Sequence, residues 1–128
     1  MTHDRPPELK MWVAIRADLA MPPGKLAVQA GHAFVQVALN AMATHPARLL
    51  AYMEASQAKI AVSVRGLGPL RRVARECADQ GIPHALITDA GRTVFGEPTE
   101  TVCAFGPAYR DELGLFLKRL RLYGEVSS

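Results

Sequence analysis

The chain has 128 residues, of which 49% are apolar and 6% aromatic, and its formal net charge at pH 7 is +3. A chain of this length normally folds as one domain that buries roughly two-thirds of its unfolded surface. We therefore expect a single domain over residues 1–128, with a polar tail over residues 1–9. The small positive charge neither requires nor excludes a polyanionic ligand such as RNA.

The sequence predicts neither a targeting segment nor a membrane span. Its N-terminal residues are polar and rich in proline, and no apolar run approaches the ~20 residues that a membrane span needs. Cys77 and Cys103 lie in apolar surroundings without C-x-x-C spacing, which indicates reduced core thiols rather than nucleophiles. We expect a cytoplasmic protein with no membrane partner.

Hydrophobic patterning predicts alternating strands and helices along the chain. The alanine-rich segment after Pro23 has helical spacing and no internal proline, which predicts a long, mostly buried helix. In chain order we predict a strand over 10–17, helices over 24–43 and 47–55, a strand over 59–65, a helix over 70–80, strands over 84–88 and 101–105, and an amphipathic helix over 108–120.

This alternation predicts an α/β fold of three layers, α/β/α, in which helices cover both faces of a small mixed four-stranded sheet. The connection between the third and fourth strands, residues 89–100, is too short for a helical crossover. These two strands should therefore be antiparallel if they are adjacent.

Two polar segments interrupt the apolar framework. The first covers residues 18–33, the second covers 89–93 together with 99–101, and each lies where a predicted strand stops. An α/β domain exposes its backbone and functional side chains at such strand ends. We therefore expect both segments to contribute to one site.

Lys25 follows Gly24 at the start of the first predicted helix, where backbone amides attract anions. The segment does not match a P-loop, because no glycine lies five residues before Gly24 and Leu26 stands where a Mg²⁺-binding serine or threonine is needed. A lysine at this position could hold a phosphate or a developing oxyanion. It could also be a solvated surface lysine.

The second segment offers a carboxylate, a guanidinium and two hydroxyls. Asp89 ends an apolar strand just before Gly91, so it could orient a water or merely accept hydrogen bonds in an Asx turn. Thr93 and Thr101 could orient an ester, although β-propensity alone explains a threonine in a strand. Arg92 could donate two hydrogen bonds to a phosphate from inside the same loop.

The remaining polar residues indicate no second centre. His32 falls on or near the predicted buried side of the first helix, where a core histidine is more usual than an acid or base. No histidine shows ligand spacing with cysteines or carboxylates, so we expect no metal and no cofactor. The other cations that could meet RNA or form a solvated face are Lys59, Arg65, Arg71, Arg72, Arg75, Lys118, Arg119 and Arg121.

Five ordered blocks of the sequence resemble the type 2 peptidyl-tRNA hydrolases of archaea and eukaryotes. The family pattern is D-L-x-M-x-x-G-K-x-A-x-Q-x-x-H-A, Q-x-K-I, D-A-G-x-T, T-x-T-V and G-P. Here it falls in order on residues 18–33, 57–60, 89–93, 99–102 and 106–107. The resemblance implies hydrolysis of the ester that joins a peptide to tRNA, with tRNA as partner and no cofactor. The protein could also form a homodimer.

The resemblance also implies roles for individual residues. It makes Asp89 the group that orients water and Lys25 the group that stabilises the oxyanion. The implied catalytic residues are Lys25, Asp89, Thr93 and Thr101, and the implied substrate-binding residues are Gly24, Gln29, His32, Arg92 and Thr99.

The chain departs from the family pattern at several positions that concern substrate handling. Pro23 stands where a lysine is common, Val94 where glutamine or glutamate is usual, and both Ser56 and Pro98 where glycine is common. Two other functions stay open from the sequence. One is a module that binds tRNA or a protein without turnover, and the other is a hydrolase of a smaller acylated compound.

Overall fold

The computed structural model of the chain describes residues 7–91 and 95–124. Its strands are β1 (Lys10–Arg16), β2 (Ala58–Val64), β3 (His84–Asp89), β4 (Thr99–Ala108) and β5 (Arg121–Leu122). Its helices are α1 (Pro23–Thr44), α2 (Pro46–Glu54), α3 (Leu67–Gln80) and α4 (Leu115–Lys118), with short 3-10 turns over Ala17–Leu19 and Arg110–Glu112.

The five strands form one open mixed sheet in the order β3-β4-β1-β2-β5. β1 and β2 are parallel, whereas β4 is antiparallel to both β1 and β3. The antiparallel pairing predicted for the third and fourth strands is confirmed. The predicted count of four strands is wrong, because residues 121–122 add β5 beside β2. Since β1 and β3 both oppose β4, their C-terminal ends lie at the same edge of the sheet.

The sheet separates two groups of buried apolar side chains. Alternate residues of β1 divide between them, because successive side chains of a strand point to opposite faces. Met11, Val13 and Ile15 belong to the group that contains the buried residues of α1. Trp12 and Ala14 belong to the group that contains the buried residues of α3. The two faces of β1 thus fix which helix lies on which side.

α1 is amphipathic rather than mostly buried, which corrects the expectation drawn from its composition. Its buried residues recur every fourth position, at Gln29, Ala33, Val37 and Ala41. The opposite face exposes large apolar side chains, with exposed fractions between 49% and 64%, at Val28, Val35, Leu39 and Met42. Among the described residues, α1 is the one helix long and apolar enough to cross a membrane by length and composition alone.

The predicted helix over residues 108–120 is wrong in most of its length. β4 continues to Ala108, which is buried and paired with β1. A helix starting there would break backbone hydrogen bonds that the sheet already satisfies. The short α4 begins only after Gly114. Leu113 and Leu117 are buried as the apolar spacing predicts, but they lie after a 3-10 turn and in a shorter helix instead of in one long helix.

Candidate active site

The two polar segments meet at the sheet edge where β1 and β3 end. Lys25 lies in the first turn of α1, and Asp89 is the last residue of β3. The Lys25 Nζ donates a hydrogen bond to Asp89 Oδ1 and forms an ion pair with it. The two side chains are only 13% and 10% exposed. The fold thus pairs two charges, 64 residues apart in the chain, with little access to water.

The second carboxylate oxygen of Asp89 is held by the backbone. The Gly91 N–H donates to Asp89 Oδ2 over 2.9 Å, which is the Asx turn that the sequence allowed. Gly91 has a φ of +81°, and a Cβ at this position would lie 2.3 Å from the carbonyl carbon of Glu97. Any side chain here would force the loop apart. Asp89 is therefore both a turn residue and the partner of Lys25.

These two hydrogen bonds lower the pKa of Asp89. The bond from Lys25 is the largest cause that holds the pKa of Asp89 below its ordinary value of 3.8, and the bond from the Gly91 backbone is the next. Partial burial opposes them, and the charge of His32 adds a smaller lowering. A carboxylate with a lowered pKa is a weak base at neutral pH but a strong hydrogen-bond acceptor.

A buried polar pair lies behind the ion pair. Thr101 is fully buried and Gln29 is 3% exposed. The Thr101 hydroxyl donates to Gln29 Oε1 over 2.5 Å, and Gln29 Nε2 donates to Asp89 Oδ1 over 3.5 Å. Because the amide oxygen accepts from Thr101, the amide nitrogen must face Asp89. Thr101, Gln29 and Asp89 therefore form one directed chain of hydrogen bonds.

Three of the other predicted site residues, Gly24, His32 and Thr99, lie around this centre. Gly24 is exposed beside Lys25, and the Thr99 hydroxyl donates to the Glu97 carbonyl over 2.9 Å. His32 is exposed on α1, so the expectation of a buried or nearly buried histidine is wrong. It lines a shallow groove of about 820 Å³ that reaches Thr88, the neighbour of Asp89.

Arg92 and Thr93, together with Val94, lie outside the described residues. The structure reveals two neighbours of the site that the sequence reasoning missed. The ring of Phe95 lies 5.7 Å from Lys25 Nζ, measured to the ring centroid. Arg16 lines a second groove, of about 560 Å³, that also reaches Thr88. Position alone could have suggested Arg16, because it ends β1 just before the first polar segment.

The two cysteines lie on the α3 side of the sheet, whereas Gln29 lies on the α1 side. Both Cys77 and Cys103 are free thiols buried in the apolar group beneath α3. Burial raises the pKa of Cys103 to about 12 and raises that of Cys77 further. The prediction of core thiols is confirmed. Across residues 7–91 and 95–124, no three His, Cys, Asp or Glu side chains form a group that could hold a metal ion.

Comparison with known proteins finds similarity over nearly the whole chain. A family model described as peptidyl-tRNA hydrolase PTH2 matches residues 9–123. The chain belongs to this family. A peptidyl-tRNA hydrolase of Methanococcus vannielii is 34% identical over 110 residues, which are 86% of this chain and 95% of that protein.

Two further peptidyl-tRNA hydrolases are similarly related. The one from Methanocaldococcus jannaschii is 32% identical over 114 residues, covering 89% of this chain and 99% of its own length. The one from Pyrobaculum aerophilum is 35% identical over 118 residues, covering 91% and 98%. The matched residues of this PTH2 member include the Lys25–Asp89 pair and the Gln29–Thr101 pair behind it.

Lys25→Met should raise the pKa of Asp89 toward 3.8, because it removes the hydrogen bond that lowers this pKa most. The carboxyl ¹³C shift of Asp89, followed against pH, measures it in each protein. In the native protein the carboxylate's contribution to stability is present above pH 3.8 and is lost as pH falls through the lower folded pKa. Lys59→Met, which removes a lysine from the opposite sheet edge, is the control. If Asp89 had the same pKa in Lys25→Met as in the native protein, Lys25 would not be the main cause of the lowered pKa.

Proposed function

We propose that this chain hydrolyses the ester bond of peptidyl-tRNA and releases the peptide and free tRNA, without a metal or other cofactor. The observation that supports this most directly is the Lys25–Asp89 ion pair, which lies within the family match with its hydrogen-bonded neighbours Gln29 and Thr101. Among the described residues these groups offer a fixed acceptor for water and a fixed cation for negative charge.

The proposed reaction begins with a water that donates a hydrogen bond to Asp89. The carboxylate is ionised and its two oxygens are anchored by Lys25 and Gly91, so it can orient water with little movement of its own. Attack on the ester carbonyl places negative charge on the carbonyl oxygen. The C–O bond to the ribose then breaks, the carbonyl re-forms, and the ribose oxygen of tRNA leaves with the electron pair and takes up the proton that the attacking water gives up.

Lys25 is the proposed stabiliser of the oxyanion. Its ammonium group lies at the start of α1, where the dipole of a 22-residue helix adds to its positive charge. The first backbone N–H groups of a helix lack intrahelical acceptors, so Gly24 can supply a further donor there. Groups of this kind, preorganised in a site with little water, typically contribute about a hundredfold or more to the rate.

The two threonines have different proposed roles. Thr101 is buried and donates to Gln29, so it fixes the geometry of the site rather than touching the substrate. Thr93 is proposed as a catalytic hydroxyl on the family pattern. Thr99, His32 and Arg92 are proposed substrate contacts, with Arg92 donating to a phosphate.

Asp89→Asn should lower kcat by about a hundredfold or more, because the amide keeps the shape of the carboxylate but loses its charge. The release of peptide from purified peptidyl-tRNA measures the effect, and Asp79→Asn, which neutralises an exposed acid on α3, is the control. Peptide release by Asp89→Asn at the native rate would contradict the mechanism. Native turnover of a free N-acyl amino ester with none of peptidyl-tRNA would contradict the proposed substrate.

We also propose that the tRNA backbone runs along this edge of the sheet, from the end of β3 toward β5. A cavity of about 250 Å³ there is bordered by the exposed side chains of Arg65, Arg119 and Arg121, and the described residues lining it include no acid. β5 lies four strand positions from β3, which is roughly 19 Å at the usual strand spacing. Phosphates several nucleotides from the ester could therefore reach these guanidinium groups while the ester lies at Asp89.

Arg119→Gln should weaken tRNA binding and reduce the slope of log Kd against log salt by about one, because one phosphate contact is lost. Binding of uncharged tRNA at several salt concentrations measures this slope. Lys59→Gln removes the same charge near the start of β2, at the opposite edge of the sheet, and should leave the slope unchanged. Equal slopes for Arg119→Gln and the native protein would remove this cavity from the tRNA path.

We further propose a cytoplasmic homodimer with the three-layer α/β/α architecture, not associated with a membrane. Support for the layers comes from α1 and α3, which pack with opposite faces of β1. Support for the dimer comes from the exposed stripe of α1. Its positions 28, 35, 39 and 42 follow the spacing of a coiled-coil seam, which a second copy of α1 could cover.

Leu39→Glu should shift the protein toward monomer, because a charge would be buried in the middle of the proposed seam. Sedimentation equilibrium over a range of concentrations measures the mass. Ala78→Glu places the same charge on an exposed position of α3 and should not change the mass. A native protein that is monomeric at all concentrations would contradict the dimer.

A further inference from the structure

β4 contains a bulge at Thr101. Ile87 of β3 is opposite Val102, but the next residue, Thr88, is opposite Glu100. Thr101 is therefore an extra residue on β4 with no counterpart on β3. A bulge of this kind bends a strand and redirects a side chain, and bulges are common beside active sites.

The bulge explains how Thr101 reaches Gln29. Farther along β4, Cys103 packs on the α3 side of the sheet, whereas Val102 packs on the α1 side. Regular alternation would therefore turn Thr101 toward α3. Its hydroxyl instead donates to Gln29 of α1. The Glu100 side chain accepts from Arg71 on α3, so residues 100 and 101 alternate normally, and the alternation is broken between Thr101 and Val102, which both face α1.

Arg16 holds the backbone at the peptide that precedes the bulged residue Thr101. Its Nε and Nη2 donate to the two carboxylate oxygens of Asp18 over 3.1 and 2.7 Å, and its Nη1 donates to the Glu100 carbonyl over 3.1 Å. The last register pair between β1 and β4 is Ile15 with Val102. Beyond that pair, a side chain of β1 rather than its backbone binds the bulged segment.

Asp18 fixes the direction of the guanidinium. Two parallel hydrogen bonds to one carboxylate set the plane of an arginine head group, and the third nitrogen must then point along that plane. The hydrogen bond from Arg16 is the largest cause that lowers the pKa of Asp18, so this pair stays charged at neutral pH. The Arg16 side chain is 13% exposed.

We propose that Arg16 is a positioning residue for hydrolysis: it fixes the Thr101 bulge and thereby keeps Gln29 directed at Asp89. The inference rests on the proposed function, because it assigns Arg16 to the same centre. Arg16 itself is not proposed to touch the reacting atoms. Losing it should let the Glu100–Thr101 peptide reorient, and the hydrogen bond from Thr101 to Gln29 would weaken.

Arg16→Met should lower kcat for peptidyl-tRNA about tenfold or more, since small displacements of positioned groups cost up to about a hundredfold. KM should stay within about twofold, because no substrate contact is removed. Arg71→Met is the matched control. It also removes an arginine bound to Glu100, but one bound to the side chain rather than the carbonyl, and kcat should change less than about twofold.

A second readout separates this role from general stability. The side-chain amide protons of Gln29 in ¹⁵N-labelled protein should give one pair of sharp resonances in the native protein and in Arg71→Met. In Arg16→Met they should broaden or shift, even when the spectrum is recorded well below the thermal midpoint of this variant. If Arg16→Met does not fold, Arg16→Lys provides the test, because lysine cannot bind Asp18 with two parallel hydrogen bonds and also reach the Glu100 carbonyl.

Three results would overturn the inference. One is an unchanged kcat in a folded Arg16→Met or Arg16→Lys. Another is a rise in KM with kcat unchanged, which would make Arg16 a substrate contact in the groove that it lines. The third is an undisturbed Gln29 amide. If the native protein released no peptide at all, the proposed function would fail instead, and the Gln29 resonances would still test the role of Arg16.

Discussion

The ion pair between Lys25 and Asp89 is the interaction on which the rest of the site depends. Both side chains are largely shielded from water, and separating two such opposite charges is unfavourable. The start of α1 and the end of β3 must therefore come together whenever the chain folds. β4 makes this meeting possible, because it is antiparallel to both β1 and β3 and so places their C-terminal ends at one edge.

The same strand connects the two sides of the site. Thr101 departs from the alternation of β4 and reaches the α1 face, where Gln29 joins it to Asp89. On the α3 face, Arg16 binds the preceding carbonyl. A hydroxyl, an amide and a carboxylate that come from three elements are thus aligned by one irregularity in the sheet. The hydrogen bonds from Lys25 and from the Gly91 backbone lower the pKa of Asp89, and a low pKa favours orientation of water over strong general-base catalysis.

Features that depend on neighbouring residues, such as where a helix starts or ends, can mostly be predicted from the sequence. Pro46 opens α2 as its missing N–H allows, and Gly81 ends α3 with a φ of +69°. The segments that contain Lys25 and Asp89 also fall at element ends as predicted. The features that the sequence does not predict depend on contacts between residues that are far apart in the chain. Pairing with β1 keeps residues up to Ala108 in β4, and the role of Arg16 depends on a carbonyl 84 residues away.

Lys25 and Asp89 are proposed to act as one unit in hydrolysis. Single-turnover rates of peptide release from peptidyl-tRNA should be measured for Lys25→Met, for Asp89→Asn and for the double variant. If the pair is one unit, the double variant should be no slower than the slower single variant, within about a factor of three. Losses that multiply, so that the double variant equals the product of the two single effects, would contradict the claim.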